Sequence, residues 1–286
     1  MRAIETPHAR LWNGDCVAGM RAHVPDGSVD LVLADPPYGI GGDGLDVHYN
    51  RDERFAVEGY VEVGRKDYPA FTRAWIAEAA RCLRPGGAMM VVSGWSHIGA
   101  VLQALSEAGL TEVNHLVWRY SFGVYTTRKF VTSHYHIPYW IKPPLSKATF
   151  DPQARFLDPA DSYQDRQDVL DIPRKNKPGQ AKNKNQLPEA LLERLLAYTT
   201  RPGDIVLDPF MGGFTTARVA VRMGCTALGF EMNPKAFDRF APAIAEVSPE
   251  PRPAPAAPDP KELVRRVRMR ETRNLRRAQA KAQGTP

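Results

Sequence analysis

Val29-Asp30-Leu31-Val32-Leu33-Ala34 runs into Asp35-Pro36-Pro37-Tyr38, followed by Gly39-Ile40-Gly41-Gly42. The first six residues form a short β-branched and leucine run, the pattern of a strand buried on both faces. Working outward, Phe71 to Leu83 has helical spacing, with Phe71, Trp75, Ala79 and Leu83 opposite Arg73, Glu78 and Arg81. Pro85-Gly86-Gly87 reads as a turn, and Ala88 to Val92 as an apolar strand. Ile98 to Ala108 predicts a helix closed by Gly109, and Glu112 to Trp118 a strand. Further on, Leu187 to Tyr198 predicts a helix, Asp204 to Leu207 a strand, Thr215 to Met223 a helix capped by Gly224, and Thr226 to Phe230 a strand. Strands separated by helices, with no two-residue hairpin signal, predict an α/β fold with a parallel sheet covered on both faces.

Between these αβ blocks, residues 119–186 keep neither rhythm. They open with aromatics and bases, hold one strand at Tyr135 to Ile141, and end in a basic loop from Pro173 to Lys184. They read as an insertion separating residues 1–118 from residues 187–247. Residues 248–286 form a fourth segment. Pro249 to Pro260 is rich in proline and alanine, the composition of an extended linker. Lys261 to Pro286 then carries nine Lys/Arg against two acids, a net +7, so residues 1–260 sum to −1 of the chain's +6. That basic arm reads either as a solvated charge run or as a contact for nucleic acid.

The composition excludes several classes. At 286 residues with 43% hydrophobic and 24% charged residues, the chain is long and apolar enough for a substantial core. No apolar run approaches the ~18 residues of a membrane span, and Met1 to Arg10 has no signal-peptide stretch. Cys16, Cys82 and Cys225 are scattered and odd in number, which predicts a reducing, cytoplasmic setting without disulfides or a cysteine zinc site. His134 and His136 alternate on a strand without a carboxylate or cysteine nearby, so they read as packing or hydrogen-bonding residues, and no metal is expected.

Two constellations carry chemistry. Asp35-Pro36-Pro37-Tyr38 stands at the carboxyl end of a strand, the edge where open α/β sheets bind ligands. These residues suit the activation of an exocyclic amine, whose lone pair is delocalised into its ring. Asp35 and the Pro36 carbonyl are acceptors for its two hydrogens, favouring a pyramidal nitrogen; the prolines stiffen the loop, and Tyr38 offers a stacking face. The second constellation is Asp208-Pro209-Phe210-Met211-Gly212-Gly213-Phe214-Thr215-Thr216, a glycine-rich turn entering a helix. Such a turn lets a ligand approach the backbone and presents N–H groups to an anionic end. The next strand ends at Glu231, placed to accept from ribose hydroxyls. Neither G-x-x-x-x-G-K-[ST] nor G-x-G-x-x-G occurs, which disfavours ATP and NAD.

Together these residues resemble a family. Asp35-Pro36-Pro37-Tyr38 resembles the catalytic motif of amino-group DNA methyltransferases, and Asp208-Pro209-Phe210-x-Gly212 their S-adenosylmethionine motif. Catalytic motif first, cofactor motif late and an insertion between resembles the circularly permuted β-class order. Asn13-Gly14-Asp15-Cys16, ahead of Gly27-Ser28-Val29-Asp30-Leu31, resembles the family's N-terminal segment, whose acid contacts the cofactor adenine; Lys184-Asn185-Gln186-Leu187-Pro188 resembles the segment near the methionine end. Phe214 stands where the family usually has a second glycine, with Gly213 one place earlier.

The resemblance implies a Rossmann-like S-adenosylmethionine-dependent methyltransferase sheet with an inserted target-recognition region. It implies catalysis by Asp35, Pro36, Pro37 and Tyr38. The cofactor would be held by Asp15, Cys16, Asp35, Asn185, Gln186, Leu187, Asp208, Pro209, Phe210, Gly212, Gly213, Thr215 and Glu231. In the insertion, Arg119, Tyr120, Tyr125, Arg128, Lys129, Arg174, Lys175, Lys177, Lys182 and Lys184 are suited to phosphates, base edges and stacking, and double-stranded DNA is the implied partner. A second copy of the chain and a companion restriction endonuclease are further partners of that reading. The implied reaction is base flipping followed by direct in-line transfer to the N6 amine of adenine, because Asp at the first motif position resembles adenine enzymes more than N4-cytosine ones. N4-cytosine or RNA methylation, and a non-catalytic DNA-binding scaffold, stay open.

Overall fold

The computed structural model describes residues 1–39, 63–120, 127, 128, 130–152, 154, 166–173 and 186–252, together with 264, 268 and 272. One compact unit comprises Met1–Asp151 and Asp168–Arg252; a smaller one comprises Pro152–Gln167 and Pro253–Pro286. Among the described residues the larger unit contains nine strands: β1 (Arg2–Thr6), β2 (Ala9–Asn13), β3 (Val29–Ala34), β4 (Leu83–Val91), β5 (Thr111–Arg119), β6 (His134–Ile141), β7 (Val169–Asp171), β8 (Ile205–Asp208) and β9 (Thr226–Glu231). Its helices are α1 (Cys16–His23), α2 (Tyr68–Cys82), α3 (Ile98–Glu107), α4 (Glu189–Thr199), α5 (Thr215–Arg222) and α6 (Pro234–Phe240).

All nine strands form one sheet, in the order β1-β2-β9-β8-β3-β4-β6-β5-β7. Strands β2, β9, β8, β3 and β4 are parallel neighbours. The expectation of a wholly parallel sheet is corrected at two places. Strand β1 pairs antiparallel with β2 through the turn at Pro7-His8, a two-residue hairpin, and β6 runs antiparallel between β4 and β5. The inserted residues contribute to the sheet: β6, the strand expected there, supplies ladder partners to two strands, and β7 extends the edge beyond β5. Pro138 lies within β6 and has no N–H to donate; pairing with β4 ends at Met90–Tyr139 and resumes only at the Ser93–His136 bridge.

Pro85-Gly86-Gly87, expected as a separate turn, is absorbed into the start of β4, where the register with β3 shifts between Val29 and Leu31. Gly86 at φ 84° makes this local; a Cβ there would come within 2.5 Å of the Lys147 backbone.

The apolar run of β3 explains its central place. Val29 and Leu31 to Ala34 are all fully buried. Helix α2 turns Tyr68, Thr72, Trp75, Ile76, Ala79, Ala80 and Cys82 inward, a stripe at three- and four-residue spacing. Each large apolar side chain so buried contributes about 1.5–3 kcal/mol. Helix ends are closed by cations from elsewhere in the chain. The Lys142 ammonium donates to the carbonyls of Ala80, Arg81 and Leu83, and the Arg81 guanidinium to those of Met20 and Val24.

The start of the expected linker also belongs to this unit. The Glu250 amide donates to Arg222, and the Arg252 guanidinium reaches the carbonyls of Met223 and Thr200 and the Thr200 hydroxyl. No described helix is long and apolar enough to cross a membrane.

Candidate active site

Because β2, β9, β8 and β3 run parallel, their carboxyl ends share one edge of the sheet. Those ends are Asn13, Glu231, Asp208 and Ala34, with Asp35 following. From β3 the chain moves to β4 on one side, and from β8 to β9 on the other. The crevice between β3 and β8 is thus the point where strand order reverses, the place for ligands in an open α/β sheet. Asp35 and Asp208 stand at its two walls.

On the first wall, the Tyr38 hydroxyl donates to Asp35 Oδ1 at 2.5 Å. The Tyr38 ring stacks on Tyr135 of β6 with centroids 5.4 Å apart. The loop then turns at Gly39, φ 68°, whose carbonyl lies 3.2 Å from His97 Nε2. His97 stacks on Tyr68, and a Cβ on residue 39 would stand 2.4 Å from the Tyr68 ring, so only glycine fits. Gly41 and Gly42 lie outside the described residues.

The second wall is built mainly from backbone. Asp208 is buried and its Oδ1 accepts from the Phe210 amide. The Gly212 amide donates to Glu231 Oε2 and the Asn233 amide to Oε1, both at 2.7 Å. The amides of Met211 and Phe214 bond to Phe230 and Met211 carbonyls. This corrects the expectation of a turn that presents free N–H groups, because four of its amides are engaged within the fold. Phe214 has φ 57°, the left-handed conformation that glycine holds without cost, and its ring is wholly buried against Phe237. Gln186 lies over Gly213, its Nε2 3.2 Å from that carbonyl, and Leu187 is buried beside it in sequence. Phe210 packs on Phe71 and edge-on to Trp75 of α2. Thr215 Oγ1 is a buried hydroxyl with no hydrogen-bond partner among the described residues.

The N-terminal segment joins the same edge. The Gly14 amide and the Asn13 side chain both donate to the Glu231 carbonyl. Asp15 caps α1 by accepting from the Ala18 amide at 2.8 Å. Burial, with the Asp15 charge adding, pushes the Cys16 thiol up to about 12, so it is an inert packing residue and not a nucleophile. Burial pushes the Asp208 carboxyl up to about 7; hydrogen bonds from Thr216 and the Phe210 amide oppose this, and the charges of Asp35 and Glu231 reinforce it. Burial likewise raises Glu231, against the lowering by the Asn233 and Gly212 amides. Acids from three strand ends and one helix cap therefore gather at one edge, a setting for a cationic ligand.

The residues expected to meet DNA divide differently. Arg119 is exposed but its fork engages Asp171 across the β5–β7 ladder, Nη2 lying 2.6 Å from Oδ2, so it enters the site as half of an ion pair rather than as a lone cation. Arg119, Tyr120, Ser133, Asp171, Ile172 and Pro173 line an open cleft of ≈ 450 Å³. Arg128 is exposed. Tyr125, Lys129, Arg174, Lys175, Lys177, Lys182, Lys184 and Asn185 lie outside the described residues. His134 and His136 pack edge to face, and His136 Nδ1 lies 2.9 Å from His115 Nε2, the hydrogen-bonding part expected of it. Sequence reasoning did not single out Tyr68, His97 and Tyr135. Each is joined to the loop by a pairing across the fold that no local spacing encodes.

The chain resembles known proteins in sequence and fold. The chain is 25% identical to the Type II methyltransferase M.HinfI of Haemophilus influenzae over 252 residues, covering 84% of this chain and 69% of that protein. TTHA0409 of Thermus thermophilus, assigned as a DNA modification methylase and solved with S-adenosyl-L-methionine, superposes with a TM-score of 0.60 at 25% identity, over 84% of this chain and 94% of that one. PvuII DNA methyltransferase, described as cytosine-N4-specific, shares the fold with a TM-score of 0.61 at 16% identity, over 85% and 92%. The sheet is thus the Rossmann-like methyltransferase sheet. A model of the N6/N4 methyltransferase family, described as DNA methylase, matches residues 29–242, from the strand that delivers Asp35 to the helix beyond Glu231. With well over half its length matched, this chain belongs to the N6/N4 family of DNA methylases.

Proposed function

We propose that this DNA methylase transfers a methyl group from S-adenosylmethionine to the N6 amine of adenine at a specific site in double-stranded DNA. The observation that carries the reading is the meeting of Asp35 and Asp208 at the β3–β8 crevice with Glu231 beside them. The donor set fits the cofactor. Clustered carboxylates, whose mutual repulsion a cation relieves, suit a ligand bearing an ammonium and a sulfonium. Glu231 keeps a second lone pair on each oxygen for ribose hydroxyls after accepting from Gly212 and Asn233. Asp15, Gln186, Asp208, the Gly212-Gly213 turn and Glu231 would hold it. When bound, it supplies an activated methyl group.

The chain's own residues prepare the nucleophile. An adenine must leave the stack to reach this edge. Asp35 accepts one hydrogen of its amine and the Pro36 carbonyl the other, which favours a pyramidal nitrogen with its lone pair directed across the crevice. The hydrogen bond from the Tyr38 hydroxyl fixes the Asp35 carboxylate, and the Tyr38 ring gives the base a stacking surface. The Asp35-Pro36-Pro37-Tyr38 motif supports adenine; the same acceptors would hold the N4 amine of cytosine, so the modified nucleoside decides between them. A companion endonuclease belongs to the same reading, supported by the Type II name of M.HinfI, and a second copy of the chain is proposed with it.

The test is transfer of labelled methyl groups to duplex DNA by the wild type and Asp35→Ala. The variant should lose at least about 100-fold in transfer, since the amine is no longer oriented. N6-methyladenine should be the product nucleoside. Transfer undiminished by the substitution would sink the assignment of Asp35, N4-methylcytosine would move the target base, and preference for structured RNA over duplex DNA would move the substrate.

A further inference from the structure

Tyr135 lies outside the motif and outside the cofactor turn, yet it is the ring on which Tyr38 stacks. Its own position is fixed from several directions. It stacks on Trp118 at 5.4 Å and meets Tyr120 at a tilt, also at 5.4 Å. Trp118 is its register partner on β5, is fully buried, and donates its indole N–H to the Ile172 carbonyl at 2.8 Å. The neighbouring His136 exchanges two backbone hydrogen bonds with Ser93, both 2.9 Å, and the Val92 amide bonds to the Ala34 carbonyl, one residue before Asp35. Strand β6 is therefore pinned to the segment that carries the catalytic loop, and only one residue away from the pin stands the Tyr135 ring.

We propose that Tyr135 is a positioning residue: it backs the Tyr38 ring, and through the 2.5 Å Tyr38–Asp35 hydrogen bond it sets the carboxylate that orients the target amine. Tyr120 and Ile172, which brace Tyr135 and Trp118, also line the cleft with Arg119 and Asp171. The row Tyr120–Tyr135–Tyr38–Asp35 thus runs without a break from the cleft to the carboxylate. A stacked pair of rings has a preferred separation and tilt, so truncating one ring frees the other to rotate without removing anything that touches the cofactor.

The inference rests on the reading of Asp35 and Tyr38 given above, and the experiment separates the two. Wild type, Tyr135→Ala, Tyr135→Leu, Tyr135→Phe and Asp35→Ala of the full chain are compared for methyl transfer to enzymatically amplified, hence unmethylated, genomic DNA. For Tyr135→Ala, kcat should fall about ten-fold, the scale of a lost ring–ring contact in an orienting role, with KM for S-adenosylmethionine unchanged. Tyr135→Phe, which keeps the ring, should restore kcat. Should the alanine variant fail to fold, Tyr135→Leu carries the test, because it fills most of the volume without a ring plane. Wild-type kcat in the folded alanine or leucine variant would overturn the proposal, as would a phenylalanine variant no better than alanine. An active Asp35→Ala would instead overturn the reading on which it rests.

Discussion

The two walls of the crevice are held by different forces. The Asp208–Glu231 wall is set by short hydrogen bonds between carboxylates and backbone amides and by a wholly buried Phe214. The Asp35–Tyr38 wall is set by prolines, by side-chain hydrogen bonds such as Tyr38–Asp35 and His97–Gly39, and by rings contributed by β6 and α2. Amide–carboxylate bonds are directional and fixed before any ligand arrives, whereas stacked rings tolerate small slides and rotations. The difference matches the two tasks. One wall receives the same small molecule in every turnover; the other must admit a base delivered by a long, deformable polymer.

Substitutions can break that contrast or sharpen it. The largest effect on stability is expected at Phe214→Gly. Glycine relieves a left-handed conformation worth about 1–2 kcal/mol, but loss of the buried ring costs about 3–5 kcal/mol, so the variant should be less stable by roughly 1–4 kcal/mol in denaturant unfolding. A gain in stability would mean that the ring is not what holds the turn. Next, Glu231→Ala leaves the Gly212 and Asn233 amides without their acceptor and should cost about 2 kcal/mol, together with a measurable loss of cofactor affinity by calorimetry.

A pH dependence follows at Asp208. Its folded-state pKa of about 7 lies above the ordinary 3.8, so between those values the folded chain holds more protons than the unfolded one. The ligand-free protein should therefore lose stability as pH rises from about 4 to 7, and Asp208→Asn should flatten that part of the curve in thermal unfolding. Binding of a cationic ligand should strengthen over the rise, since it favours the ionised carboxylate. The smallest effect belongs to the other wall. Tyr38→Phe keeps the stacking ring and removes one hydrogen bond, for a stability change of about 1 kcal/mol or less. A larger loss would show that the catalytic loop is as rigidly built as the cofactor turn.

The sequence reading of the fold succeeded where structure is local. Strand β3 occupies Val29–Ala34 as its apolar run predicted, and Asp35 and Asp208 follow parallel strands whose period is written in their own residues. It failed where pairing is long-range. The β1–β2 hairpin turns at Pro7-His8 without a glycine, β7 is three residues long, and the antiparallel slot of β6 depends on β4 and β5 being free to receive it. Likewise nothing near Gly212 announces that its amide is taken by a carboxylate 19 residues away. The left-handed backbone at Phe214 is announced by no glycine at that position.

The closeness of Gln186 to Gly213 has a consequence for inheritance. A Cβ on residue 213 would fall 1.5 Å from the Gln186 side-chain nitrogen, so a side chain at 213 must displace the Gln186 amide from its place over the turn. The two should vary as a pair across homologous chains, a bulkier residue at one accompanying a shorter one at the other. Although 27 positions apart, the two residues meet at one turn, and a substitution at 213 should act there by moving the Gln186 amide.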